Sequence, residues 1–163
     1  MAVRNCREIG ENLQKIMNRL LNNDKLVNLL YYSDKDPLSQ MPLTAEDKQN
    51  YIFNKRIKII PRIDQEDSAQ STISIRVVRG DTLSENEEFE RILIAIEVFT
   101  PLTQWFIKDS NLRPFAILGE IQDSLNKKTI NGLGKMVGGN FALNFLTDEI
   151  SCYEQEFEII SYD

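Results

Sequence analysis

Histidine is absent from this 163-residue chain. Without it there is no imidazole for a Ser-His-Asp or Cys-His arrangement and no histidine metal ligand. Cysteine is scarce. Cys6 and Cys152 stand near opposite ends, with no CxxC pair to build a zinc cluster. The N-terminal run Met-Ala-Val-Arg-Asn-Cys-Arg-Glu-Ile-Gly lacks the apolar stretch of a secretory signal. The chain is therefore expected in a cytoplasm, with both thiols reduced and partly buried. No segment approaches the ~18 consecutive apolar residues of a membrane span. There is no D-x-[DN]-x-[DN]-G calcium loop, no internal repeat and no low-complexity tract. Positive charge is in deficit, 19 Lys and Arg against 25 Asp and Glu, for a net charge of −6. That balance opposes binding to a phosphate backbone, though an acidic channel could let DNA pass without sticking.

What is present is the composition of one globular domain spanning residues 1–163, 42% hydrophobic and 27% charged. Ile9, Leu13, Ile16, Leu20 and Val27 fall on one stripe of a helix over residues 6–31. Asn22-Asn23-Asp24 reads as a break, with Asp24 placed to cap a second short turn of helix through Leu30. Residues 33–50 lose all periodicity and carry Asp36-Pro37 and Met41-Pro42, which predicts a long ordered loop suited to contact. Three strands are expected next, at 56–60, 72–78 and 89–99. The last has apolar residues on both faces, as in a central strand or one covered in an oligomer. Pro101 stops it, and Trp105-Phe106-Ile107 continues as a short extended piece. Arg113-Pro114 opens a helix with a stripe of Phe115, Leu118, Ile121 and Leu125. It ends at Asn126 or at Asn131-Gly132. Two strands close the chain. Phe141, Leu143 and Phe145 alternate in the first. In the second, Tyr153, Gln155, Phe157 and Ile159 oppose Glu154, Glu156 and Glu158, giving a dry face and a wet, negative one. The order α-β-β-β-α-β-β predicts an α+β domain: an antiparallel sheet, sandwich- or barrel-like, with an N-terminal helix and a second helix packed against it.

Two stretches invite chemistry and fail on detail. Asn131-Gly132-Leu133-Gly134-Lys135-Met136 resembles a phosphate loop, but Met136 stands where a Walker loop needs Ser or Thr for magnesium. The reading is a flexible helix-to-strand connector over Gly132–Asn140. The run Glu85, Glu87, Glu88 and Glu90 reads as a solvated hairpin loop and not as an acid/base pair. No catalytic residue, cofactor site or metal site is expected. Trp105 and Phe106 are adjacent, so on a strand one of them turns away from the core. For Trp105, core and interface both remain open. With Pro37, Leu38 and Met41 of the loop, these two are the candidate contact residues.

Leu112-Arg113-Pro114-Phe115-Ala116-Ile117-Leu118-Gly119-Glu120-Ile121, followed by Gly132-Leu133-Gly134-Lys135, carries a resemblance. So do Asn23 through Tyr32 with Asp36-Pro37-Leu38, and the strand from Tyr153 to Tyr162. The chain resembles the tail terminator and head–tail joining (neck) proteins of long-tailed bacteriophages. The resemblance implies a virion structural protein, assembled in the host cytoplasm. It would form a ring, commonly a hexamer, that ends the tail tube and joins it to the head. The implied partners are further copies of itself, the tail tube protein, the head connector or head-completion protein and, in a contractile particle, the sheath. No membrane is involved, and DNA would meet the ring only in passage. A head-completion or connector adaptor of the neck is the alternative. If DNA passes through the ring, Glu85, Glu87, Glu88, Glu154, Glu156 and Glu158 are the candidate lumen acids.

Overall fold

The computed structural model describes residues 6–60, 69–82, 89–130 and 132–160. Helix α1 (Cys6–Leu21) buries Leu13, Ile16 and Leu20 of the expected stripe, and Asn12, Met17 and Leu21 beside them, while Ile9 is half-buried. Helix α2 (Asp24–Tyr31) follows, but its cap is Asn23 and not Asp24. The Asn23 side-chain oxygen accepts the Leu26 N–H at 3.0 Å. Its amide donates to Glu120 Oε2 at 3.0 Å and to Ser124 Oγ at 2.9 Å on helix α4 (Arg113–Leu125). Asp24, one residue on, is left to pair with Lys48 at 2.6 Å. Asn23→Ala removes a cap and an interhelical tie together. The expected loss is about 1–2 kcal/mol, read as a lowered urea midpoint with an unchanged slope.

The segment 33–50 is not a bare loop. A 3-10 turn occupies Pro37–Ser39, and helix α3 spans Ala45–Tyr51. Thr44 caps α3: its hydroxyl oxygen accepts the Asp47 N–H at 3.1 Å, and the hydroxyl donates to Asp47 Oδ2 at 2.9 Å. The Asn28 amide and the Tyr32 hydroxyl hold the backbone between, donating to the carbonyls of Gln40 and Met41.

The main sheet has six strands and is curled into a half-barrel. In chain order they are β1 (Ile57–Lys58), β2 (Thr72–Thr82), β3 (Phe89–Pro101), β6 (Thr129–Ile130), β7 (Gly134–Leu146) and β8 (Ile150–Ile160). Their spatial order is β1-β2-β3-β8-β7-β6. All neighbours are antiparallel except β1 and β2, which are parallel. A separate two-stranded ribbon joins β4 (Phe106–Ile107) to β5 (Asn111–Leu112). Its turn holds Asp109 and Ser110 in the left-handed region. The expected class is thus observed, with more helices and more short strands than the pattern revealed.

Register explains the core. Ile73 lies opposite Val98, Ile75 opposite Ile96, Ile94 opposite Phe157 and Ile92 opposite Ile159. All eight are buried beneath the helices with Ile117, Leu118, Ile121 and Leu125 of α4. The other face of β3 carries Ala95, Glu97 and Phe99, which are also buried. This central strand therefore has both faces covered within the chain, and any apolar surplus for a neighbour must lie elsewhere.

The glycine stretch after α4 is not a connector. Asn126 ends the helix, β6 forms at once, and a tight turn leads into β7. Gly132 and Gly134 supply the positive φ of that turn, 85° and 112°. A Cβ on Gly132 would meet Lys15 Nζ at 2.7 Å and Asn12 Oδ1 at 2.9 Å. Alternation fails between Gly138 and Phe141 because the strand is bulged there.

Candidate interaction surface

The apolar surplus is on β7. Phe141, Leu143, Phe145 and Leu146 are all exposed, and so is Phe106 on the neighbouring ribbon. Leu143 and Leu146 form one wall of an open groove of about 390 Å³, with Leu102, Trp105, Phe106 and Tyr153 as the rest. A chain of aromatic contacts supports it. Tyr153 packs against Trp105 at 6.3 Å and against Phe115 at 5.0 Å, and Phe115 meets Phe141 edge-on at 6.3 Å. Phe115 was expected on the buried stripe of α4. It sits instead at the rim, 39% exposed, against Phe141 of β7 and Tyr153 of β8.

Arg113 positions the ribbon side of the groove. It is fully buried and donates to four backbone carbonyls. Nη1 reaches Leu29 at 2.6 Å and Tyr32 at 2.8 Å, Nη2 reaches Asp34 at 2.6 Å, and Nε reaches Gln104 at 2.8 Å. The first two are carbonyls at the C-terminal end of α2, where acceptors lack helical partners and the helix dipole favours a cation. One guanidinium thus ties α2, the following loop and the turn before Trp105 to α4. Burial pulls its pKa below the usual arginine value, and nearby Asp34 opposes that pull.

Of the expected contact residues, the structure joins two. Trp105 is half-buried in the groove wall, and Phe106 is 69% exposed. Trp105 is helical in backbone, so the extended piece begins only at Phe106. Pro37 is buried and unavailable for contact. Leu38 and Met41 are exposed, but neither lines the groove. Their loop does meet the ribbon, where the Lys108 N–H donates to the Lys35 carbonyl. Leu102, Leu143, Leu146 and Tyr153 were not foreseen as contact residues, since only the fold brings them together.

The helix-free face of the sheet is less negative than its glutamates suggest. Arg76 pairs with Glu97 and Glu154, and Arg91 pairs with Glu158 at 2.6 Å. Glu156 is half-buried between them on β8. Glu85, Glu87 and Glu88 lie outside the described residues. Glu154→Lys is expected to cost about 1 kcal/mol, because Arg76 would then face a like charge. Chemical denaturation measures it.

Cys6 is exposed, not partly buried, and Cys152 is buried. The Cys152 thiol donates to Glu97 Oε2 at 3.4 Å. Burial, and then the charge of Glu97, push its pKa well above the usual thiol range. A thiol reagent is therefore expected to label Cys6 in the native chain and to reach Cys152 only on unfolding. Mass spectrometry of the labelled protein reads this directly. Among the described residues, no group of three or more His, Cys, Asp or Glu side chains could hold a metal ion, and no helix is long and apolar enough to cross a membrane.

The YomW family model matches residues 23–155, from the cap of α2 to the middle of β8. The chain belongs to the YomW family. That family is phage-associated, which points to a phage protein. The matched span of this YomW-family chain contains Arg113 and every residue lining the groove. Comparison with curated proteins gives no match.

Proposed function

We propose that the chain is a virion structural protein, a subunit of a ring at the head-proximal end of a phage tail that ends the tube and joins it to the head connector. The observation that carries this reading is the exposed groove and strand of β7 on a chain whose own core is already filled. An apolar surface of that kind is ordinarily covered by a partner. Phage association and the resemblance of the Leu112–Ile121 stretch to tail terminators support the same assignment.

In this reading the chain works by contact and not by catalysis. Each copy offers one surface to its neighbour in the ring, one to the tube protein and one to the head connector, and closure sets the copy number. The helix-free face, with Glu154 and Glu158 held by arginines, turns toward passing DNA. A nearly balanced wall offers phosphate little to adhere to.

Electron microscopy of the intact particle tests the proposal. The expected result is a ring of this chain at the upper end of the tail tube. Finding the chain outside the virion, or in the capsid shell, would overturn it.

A further inference from the structure

We infer that the free chain pairs with a second copy of itself through the open edge of β7, the two strands running antiparallel about a two-fold axis near Ala142 and Leu143. As far as Gly138 that edge is occupied. The Lys127 N–H donates to the Met136 carbonyl at 2.8 Å, the Met136 N–H to the Lys128 carbonyl at 2.9 Å, and the Gly138 N–H to Asn126 Oδ1 at 2.9 Å. From Gly139 to Leu146 no further strand of the described residues pairs on that side, and every residue is exposed. An open edge of that length is a template for another strand.

Charge selects the occupant. The net charge is −6, so two copies repel over most of their surface, yet Met136 through Leu146 carries no charged residue. Opposite charges mark the two ends of the edge. Lys127 and Lys128 are exposed where the edge closes, and Asp148 and Glu149 are exposed at the β7–β8 tip. Antiparallel pairing brings each acidic tip to the other copy's lysines. Parallel pairing would set acid beside acid.

The area also fits. Phe106, Phe141, Leu143, Phe145 and Leu146 are 41–69% exposed. At about 200 Å² for a large side chain they present on the order of 500 Å². With the strand backbone and charged ends added, that approaches the roughly 800 Å² per partner of a stable interface. Pairing would join two six-stranded sheets into one. It concerns the free chain, and does not depend on the ring reading.

Sedimentation of the full chain tests the pairing. The wild type is expected at twice the chain mass. Asp148→Lys with Glu149→Lys should weaken the dimer about tenfold, and so should Lys127→Glu with Lys128→Glu, since each sets like charges together. All four positions are exposed turns, and circular dichroism checks that the fold is kept. Mixing the two variants should restore a dimer of wild-type strength, because reversed tips then meet reversed lysines. A monomeric wild type, a dimer indifferent to both reversals, or a mixture that fails to recover would each overturn the inference.

Discussion

Arg113→Leu is expected to lower the free energy of unfolding by about 4 kcal/mol. Four carbonyls, those of Leu29, Tyr32, Asp34 and Gln104, lose their donor at once. Each buried acceptor left unsatisfied costs on the order of 1 kcal/mol or more. Leucine fills part of the space but supplies no hydrogen bond. Arg113→Lys keeps the charge, but a single ammonium cannot span carbonyls on three segments, so it should recover less than half of the loss. Urea denaturation of both variants gives the comparison. A loss below about 1 kcal/mol for the leucine variant would mean that water or a shifted backbone replaces the guanidinium. Amide exchange should locate the damage, with protection falling first at Lys108, whose N–H bonds to the Lys35 carbonyl of the released loop.

The second large effect concerns assembly. Phe106→Asp combined with Leu143→Asp should leave the free chain folded, because both side chains already face water. Each aspartate would place an unpaired charge inside the covered groove. Central apolar contacts commonly contribute about 2 kcal/mol or more apiece, so incorporation into particles is expected to fall at least ~100-fold. Complementation with the variant gene, scored as infectious titre and as chain per purified particle, measures it. Normal incorporation would remove the groove from the assembly surfaces.

Legibility in the sequence followed burial. Helices α1 and α4 and strand β8 bury one face each, so their periods showed in the residues, while β3, buried on both faces, showed as a nearly continuous apolar run. Helix α3 buries no side chain. It has no apolar period, and only the Thr44–Asp47 cap marks its start. Strand β7 was legible as a strand from Phe141 onward, although a second irregularity between Leu143 and Phe145 breaks the expected alternation. It was hidden before Phe141, where glycines and a bulge erase the pattern. The groove was legible only at Trp105 and Phe106. Leu102 is close by in the chain, but Leu143, Leu146 and Tyr153 come from distant strands, and their meeting with it depends on β8 lying between β3 and β7. Arg113 beside Pro114 looked like an ordinary helix start. Nothing local distinguishes an arginine that turns inward to collect carbonyls from one that points to water.

That placement of β8 has a consequence for synthesis. Strand β8 follows every other described element in chain order, yet it sits in the middle of the sheet. A growing chain that has emerged through β7 can close the β2–β3 hairpin but cannot join β7 to it. Until Ile150–Ile160 leaves the ribosome, β3 and β7 each present a long apolar strand with no partner between them. Such intermediates are prone to aggregate. A ribosome stalled in the β7–β8 turn should therefore yield a chain that binds holdase chaperones, and release of the last eleven residues of the sheet should free it.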